Sequence, residues 1–216
     1  MRYKHVIFDL DGVLVFTDEY HYKAWKTIAD RLEIPFDETV NNRLRGVSRM
    51  ESLEIILSYS GKQFSDTEKE AMAAEKNKIY KDYLENLSPQ SVSGDTIKML
   101  DALQAMGVGL AIGSSSKNAE FILQKTGIAH YFKAVASGNN ITKTKPDPEV
   151  FLLAADLLGA EPEDCLVVED AHAGAEAAHR GGFDCAGMGD AYTSELVTYR
   201  IKEIGEISDI AKQGRD

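Results

Sequence analysis

The chain contains 216 residues, of which 44% are hydrophobic, and it carries a formal net charge of −11. This length suffices for one sizeable core, or for a core with a small second unit, and the negative charge argues against a general nucleic-acid-binding protein. No apolar run approaches a membrane span, and the N-terminal MRYKHVIFDLDG is not a signal peptide, so we expect a cytoplasmic protein without a nucleic-acid or membrane partner.

The first predicted strand, from Tyr3 to Leu10, contains an acid near its end. The apolar run Val6-Ile7-Phe8 stops at Asp9, and Asp11 and Gly12 follow. A lone Asp-x-Asp-Gly is most often a turn. It is not a calcium loop, because the next ligand positions are occupied by valines.

The segment that follows contains helical patterns and no strand-like run. Apolar and aromatic side chains recur at helical spacing over residues 21–32. Two Ser-x-x-Glu capping boxes, Ser48 with Glu51 and Ser65 with Glu68, are predicted to open two further helices. We therefore predict an α-helical cap domain at residues 16–90, inserted directly after the first strand.

From about Gly94 onward, short apolar runs alternate with helical patterns. The predicted strands lie at 108–112, 134–137, 165–168 and 184–187. Helices are predicted at 96–106, 117–126 and 173–180, and a further helix is predicted to start at Pro148 with Asp147 as its N-cap. Such alternation is typical of a parallel sheet covered on both faces. We expect an α/β fold, with a Rossmann-like core of about five strands formed by residues 1–15 and 91–216. Cys165 and Cys185 lie in apolar runs without a partner at metal spacing, so we expect buried thiols.

Polar residues follow several of the predicted strands. Besides Asp9 and Asp11 they are Ser114 to Asn118, Lys145 in the loop before the Pro148 helix, and the acidic pair Glu169-Asp170. Taken singly, each has a simple structural explanation: a turn, a helix cap, a solvated lysine, acids at a helix start. Ligands bind at the carboxyl ends of parallel strands, so together they predict one site. Acids that meet there repel one another unless a cation lies among them, and oxygen-only ligands indicate Mg²⁺.

These motifs in this order resemble the haloacid dehalogenase superfamily over essentially the whole chain. Within it, the chain is similar to the β-phosphoglucomutase family in the stretch from Asp9 to Trp25, in Gly46-Val47-Ser48-Arg49 with Ser52 and Lys76, and in Ser114 to Asn118 with Lys145. Two positions depart from that pattern. Phe16 replaces an aspartate at a predicted hinge, the other hinge being near Pro89, and Arg45 replaces a lysine.

The resemblance implies roles for individual residues. Asp9 is expected to be the nucleophile and Asp11 the general acid and base, while Lys145 and Ser114 hold the phosphoryl group. Thr17 and His21 are expected to assist the chemistry, and Asp9, Asp11, Glu169 and Asp170 to bind Mg²⁺. The expected substrate-binding residues are Trp25, Gly46, Val47, Ser48, Arg49, Ser52, Lys76, Ser115, Ser116, Lys117 and Asn118. Without the resemblance, the sequence favours a simpler explanation: His21 as a solvated or packed helix residue and Trp25 as part of the cap core.

The resemblance also implies a reaction. The implied enzyme is a mutase that converts β-D-glucose 1-phosphate to D-glucose 6-phosphate through β-glucose 1,6-bisphosphate and an aspartyl phosphate on Asp9. Its partners would be a hexose phosphate substrate and a hexose bisphosphate activator, with the chain a monomer. Two alternatives stay open: a Mg²⁺-dependent sugar-phosphate phosphatase on the same fold, and a non-catalytic phosphosugar-binding protein. Intact Asp9, Asp11 and Lys145 argue against the last.

Overall fold

A computed structural model describes residues 2–44 and 47–213 of the chain. Arg45 and Gly46, which the sequence analysis singled out, lie outside the described residues. No helix within the described ranges has both the length and the apolar character needed to cross a membrane.

A six-stranded, fully parallel sheet forms the centre of the molecule, in the order β3-β2-β1-β4-β5-β6. The strands are β1 (His5–Phe8), β2 (Gly109–Gly113), β3 (Ala134–Ala136), β4 (Cys165–Glu169), β5 (Asp184–Gly187) and β6 (Tyr199–Arg200). The predicted parallel α/β fold is confirmed. The prediction of about five strands missed β6, because an edge strand of two residues has no recognisable alternation.

Nine α-helices accompany the sheet within the described residues. They are α1 (Asp18–Arg31), α2 (Glu38–Asn42), α3 (Arg49–Leu57), α4 (Asp66–Leu84), α5 (Gly94–Ala105), α6 (Ala119–Thr126), α7 (Glu149–Leu158), α8 (His172–Arg180) and α9 (Glu206–Lys212). Short 3₁₀ helices occupy Pro89–Ser91, Ala129–Tyr131, Pro162–Asp164 and Gly189–Thr193. Both predicted capping boxes are present, at the starts of α3 and α4.

Three predicted helix starts need correction, and the first is that of α5, which begins at Gly94 rather than Thr96 because Ser93 is its N-cap. Helix α6 begins at Ala119 rather than Lys117, because the hydroxyls of Ser114 and Ser116 accept the backbone N–H groups of Ser116 and Asn118 and hold a turn there. Helix α7 begins at Glu149, with Pro148 rather than Asp147 at the N-cap position.

Alternate side chains of β1 belong to different hydrophobic clusters, as expected for a strand buried on both faces. Val6 and Phe8 belong to one cluster and Ile7 to another. A third cluster lies within α1 to α4, built around Trp25, Ile28, Leu53, Ile56 and Met72. Both cysteines are buried and free, as predicted.

The four helices α1 to α4 lie between β1 and α5 in the chain. Below, residues 16–90 are called the cap and the other described residues the sheet body. The boundaries of the two predicted domains, 1–15 with 91–216 and 16–90, stay a prediction.

Candidate active site

Asp9 directly continues the central strand of the sheet. Its backbone N–H donates to the carbonyl of Val168 in β4 at 2.9 Å, so the hydrogen bonding of the sheet fixes the position of Asp9. Gly12 follows with φ +89°, and a Cβ there would lie 2.2 Å from a carboxylate oxygen of Asp170. The turn after Asp11 therefore requires glycine both for its backbone conformation and for the close approach of Asp170.

Lys145 lies among the acids, with 1% of its surface exposed. Its ammonium forms buried ion pairs with Asp9 and with Glu169. Burial alone would lower the pKa of Lys145, but the attraction of Asp9 and Glu169 outweighs it and raises the pKa. The lysine is therefore a permanent positive charge beside Asp9, and not the solvated residue that its single occurrence in the sequence suggested.

The predicted metal ligands also meet here. Burial, and then repulsion from Glu169 and Asp9, raises the pKa of Asp170. Such a shift is expected where several carboxylates lie together with too little positive charge to balance them. Within residues 2–44 and 47–213, no three His, Cys, Asp or Glu side chains are spaced to hold a metal ion, and Lys145 bridges Asp9 and Glu169. The oxygen-only donors fit Mg²⁺ in type.

Asp11 faces the cap. Its carboxylate accepts hydrogen bonds from the hydroxyl of Thr17, which is buried, and from that of Tyr80 at 3.4 Å. Burial raises the pKa of Asp11, and the bond from Thr17 opposes this shift. A partly buried carboxyl that is held in place and has a raised pKa is suited to exchanging protons.

Lys76 is buried in the cap and lies beside the partly exposed His21, with Lys76 Nζ at 2.8 Å from His21 Nδ1. The ammonium also lies over the rings of Trp25 and Tyr80, at 5.0 and 4.5 Å from their centroids. Trp25 belongs to the hydrophobic cluster of the cap and also lines the cavity described below. Trp25 is therefore a packed cap residue that also borders the cavity, and its role in substrate binding stays a prediction.

Arg49 is the first residue of α3, directly after the N-cap Ser48. Burial lowers the pKa of Arg49, and Arg49 in turn contributes to lowering the pKa values of Lys76 and His21. No acidic residue in the described parts of the chain forms an ion pair with Arg49 or Lys76. The cap thus presents two cationic side chains without an ion-pair partner in the described residues, and the attraction of Asp11 favours the charged form of Lys76 alone.

The loop after β2 is held by its own hydroxyls. Ser114 Oγ accepts the backbone N–H of Ser116 at 3.1 Å, which leaves its proton available to a ligand. At the end of the loop, the side-chain amide of Asn118 donates to Asn77 in α4 at 3.1 Å. The loop therefore touches the cap directly.

One cavity of about 700 Å³ joins these groups. Among the described residues predicted to form the site, all line it except Thr17, which lies behind Asp11. The lining set is Asp9, Asp11, His21, Trp25, Val47, Ser48, Arg49, Ser52, Lys76, Ser114, Ser115, Ser116, Lys117, Asn118, Lys145, Glu169 and Asp170. Gly46 lies outside the described residues.

The structure adds residues that the sequence patterns did not indicate. Tyr80, Asp18, Glu51 and Thr144 also line the cavity. Tyr80 follows Lys76 by one helical turn, and that spacing alone could have indicated a shared face. Thr144 precedes Lys145, but nothing local to it indicates a contact with the cap.

The family profile described as haloacid dehalogenase-like hydrolase matches residues 3–182. The chain is 40% identical over 188 residues to a β-phosphoglucomutase of Bacillus subtilis, which covers 86% of this chain and 83% of that protein. It is 32% identical over 184 residues to a fructose-1-phosphate phosphatase of Escherichia coli, covering 85% of this chain and 95% of that protein. A crystal structure of β-phosphoglucomutase from Clostridium difficile matches with a TM-score of 0.90 at 32% identity, over 95% of this chain and 93% of the other. The predicted resemblance is confirmed, and the chain is an enzyme that belongs to the haloacid dehalogenase-like hydrolase family.

Proposed function

We propose that the chain is a sugar-phosphate mutase that converts β-D-glucose 1-phosphate to D-glucose 6-phosphate through β-glucose 1,6-bisphosphate. One observation carries the proposal. The cavity that contains Asp9 and Lys145 also contains Arg49 and Lys76, and neither of these two forms an ion pair with an acid in the described residues. Two separate cationic groups suit a substrate that carries a phosphate at each end.

Asp9 would act as the nucleophile and form an aspartyl phosphate. Lys145 contacts Asp9 and can bind the oxygens of the phosphoryl group that Asp9 receives, and the free proton of Ser114 can do the same. Asp9, the backbone carbonyl of Asp11, Glu169 and Asp170 would hold magnesium. When bound, magnesium supplies positive charge beside the phosphoryl group.

Asp11 would move the proton. When the bisphosphate gives its phosphoryl group to Asp9, the sugar oxygen that leaves takes a proton from Asp11. When the other hydroxyl of a sugar monophosphate attacks the aspartyl phosphate, Asp11 takes that proton back. The bonds from Thr17 and Tyr80 fix its carboxylate for both steps.

The cap would bind the phosphate that does not react. On the phosphorylated enzyme, the sugar monophosphate enters with its own phosphate at Arg49 and Lys76, so that its free hydroxyl points toward Asp9. Ser116, Lys117 and Asn118 line the same cavity and add donors. After transfer, the bisphosphate must turn end over end, and both of its phosphates fit both positions.

A phosphatase that acts on sugar phosphates is the second candidate, because the chain is also 32% identical to a fructose-1-phosphate phosphatase. The two reactions share Asp9, Asp11 and Lys145 and differ in whether a sugar hydroxyl or water attacks the aspartyl phosphate. The test is an assay with β-glucose 1-phosphate, Mg²⁺ and a trace of the bisphosphate, in which glucose 6-phosphate and inorganic phosphate are measured separately. Glucose 6-phosphate as the main product supports the mutase, and release of mainly inorganic phosphate contradicts it.

A further inference from the structure

One carboxylate oxygen of Glu51 is shared between the cap and the sheet body. Oε2 of Glu51 accepts the backbone N–H of Ser48 at 2.8 Å and so completes the capping box of α3. The same atom accepts a hydrogen bond from the hydroxyl of Thr144 at 2.7 Å. Thr144 lies in the loop before α7, so this bond crosses from the cap to the sheet body.

The two ends of this bond adjoin the two cationic groups of the cavity. Thr144 directly precedes Lys145, and Arg49 is the first residue of the helix that Glu51 caps. Burial disfavours the charged form of Glu51, but the hydrogen bonds from Ser48 and Thr144 outweigh burial and lower its pKa. Glu51 is therefore ionised at neutral pH and accepts both bonds as a carboxylate.

The loop that carries Thr144 is anchored on its own side of the cavity. The backbone N–H groups of Thr142 and Lys143 donate to the carboxylate of Glu149, at the start of α7, at 2.8 and 2.7 Å. Thr144 is thus presented from a fixed segment of the sheet body. A bond to it determines where the start of α3 lies relative to the sheet.

We propose that Glu51 and Thr144 are positioning residues that set the spacing between Arg49 and Lys145. This inference rests on the proposed function of the site, in which those two cations bind opposite ends of a bisphosphate. The binding of a bisphosphate at both cations depends on the distance between them. A substrate that places its phosphate at Asp9 and no group at Arg49, such as an aryl phosphate, does not depend on it, so the bond contributes to selection of the sugar phosphate.

Variants of Thr144 test this role. Thr144→Val keeps the shape of the side chain and removes the hydroxyl, whereas Thr144→Ser keeps the hydroxyl. We expect kcat/KM for β-glucose 1-phosphate to fall about fivefold in Thr144→Val, through KM rather than kcat, as for loss of one hydrogen bond. Thr144→Ser restores the wild-type value, and hydrolysis of an aryl phosphate changes in neither variant. Equal losses on both substrates would overturn the proposal.

Glu51 has a matched control in the same cap. Glu68 forms the equivalent capping box at the start of α4, with Ser65, and makes no hydrogen bond or ion pair to the described part of the sheet body. Glu51→Gln is expected to raise KM as Thr144→Val does, and Glu68→Gln is expected to leave it unchanged. Glu51 and Thr144 act through one shared bond. The KM of the double variant Glu51→Gln/Thr144→Val is therefore expected to be no higher than that of the more impaired single variant. Additive losses would contradict a shared bond.

The spacing itself can be measured without any substrate. Spin labels on Glu70→Cys in α4 and Asp156→Cys in α7, both exposed positions, report the distance between cap and sheet body, since the native cysteines are buried. We expect a longer or broader distance distribution in Thr144→Val and a wild-type one in Thr144→Ser. An unchanged distribution in Thr144→Val overturns the proposal whatever the substrate is. Absence of isomerase activity in the wild type, with a distance that responds, overturns the proposed function and leaves the positioning role in place.

Discussion

Lys76 Nζ lies 2.8 Å from Nδ1 of His21, and both side chains line the cavity. Burial, and then repulsion from Arg49, lowers the pKa of Lys76 to about 7. The same causes, with Lys76 itself, lower the pKa of His21 well below its usual value. The cap therefore contains a lysine whose charge can change near neutral pH and a histidine that stays neutral there.

The binding of the sugar phosphate is expected to weaken as the pH rises. Because the pKa of Lys76 is lowered to about 7, its positive charge is complete below that pH and is lost as the pH increases through it. The KM of β-glucose 1-phosphate should therefore rise several-fold from about pH 6 to about pH 8.5. Lys76→Arg keeps the charge over this range and should flatten the profile. An aryl phosphate, whose own ionisation is similar, serves as the reference; a parallel rise of its KM would contradict the assignment to Lys76.

Asp9→Asn is expected to reduce turnover to background, because it removes the proposed nucleophile. The fold should persist, since Lys145 keeps its ion pair with Glu169. Circular dichroism and thermal unfolding check the fold, and trapping with beryllium trifluoride checks for the acyl-phosphate site. Asp95→Asn, an exposed position at the start of α5, is the control. Turnover retained in Asp9→Asn would mean that another residue carries the phosphoryl group.

Arg49→Ala is expected to lower kcat/KM for the mutase reaction by about 3 kcal/mol of transition-state binding, as for loss of one partner of a desolvated charge pair. Arg49→Lys should recover part of this, because lysine lacks the forked geometry of the guanidinium. Hydrolysis of an aryl phosphate, which places no group at Arg49, should barely change. Arg43→Ala is the matched control, since Arg43 lies on the surface of the cap against Tyr59.

Tyr80→Phe tests the residue that the sequence patterns missed. The change removes the hydroxyl 3.4 Å from Asp11 and keeps the ring beneath Lys76. We expect kcat to fall about fivefold with little change in KM, because one hydrogen bond that orients Asp11 is lost. Tyr83→Phe, on the same helix and stacked on Tyr20, should have no effect. A change in KM alone would place Tyr80 with the binding residues instead.

Phe16→Asp concerns the hinge. Phe16 is 65% exposed and precedes Thr17, which holds Asp11. We expect the wild type to release more glucose 6-phosphate than inorganic phosphate. Contacts of Arg49 and Lys76 with the substrate favour closure of the cap, and the absence of one hinge hydrogen bond, worth about 1 kcal/mol, is too small to prevent it. In Phe16→Asp the leakage of phosphate should fall further. A wild type that releases mainly phosphate, together with isomerisation restored in Phe16→Asp, would identify the protein as a phosphatase.

The convergence of Asp9, Ser114 and Glu169 could be predicted because each follows a strand, and the carboxyl ends of parallel strands share one edge of the sheet. The capping boxes at Ser48 and Ser65 could be predicted because both partners lie within one turn. Such features depend on neighbours in the chain or on a general rule of the fold.

Contacts between the cap and the sheet body could not be predicted in the same way. The approach of Tyr80 to Asp11, and of Thr144 to Glu51, depends on how two units pack, and no local pattern encodes this. The burial of Lys145 is similar, since a single lysine in a polar loop most often faces solvent. Strand β6 was missed for a different reason, because two residues are too few for any periodicity.

The insertion of the cap after β1 has a consequence for how the chain folds. The neighbours of β1 in the sheet are β2 and β4, so that His5 pairs with Gly109 on one side and with Cys165 on the other. During synthesis the whole cap emerges before either neighbour exists, and its helices already contain their own hydrophobic cluster. Pairing across such separations is slow, because a long loop must close before any contact forms. Asp9, the proposed nucleophile, is translated before the cap, yet it reaches its final surroundings only after β4 has been translated.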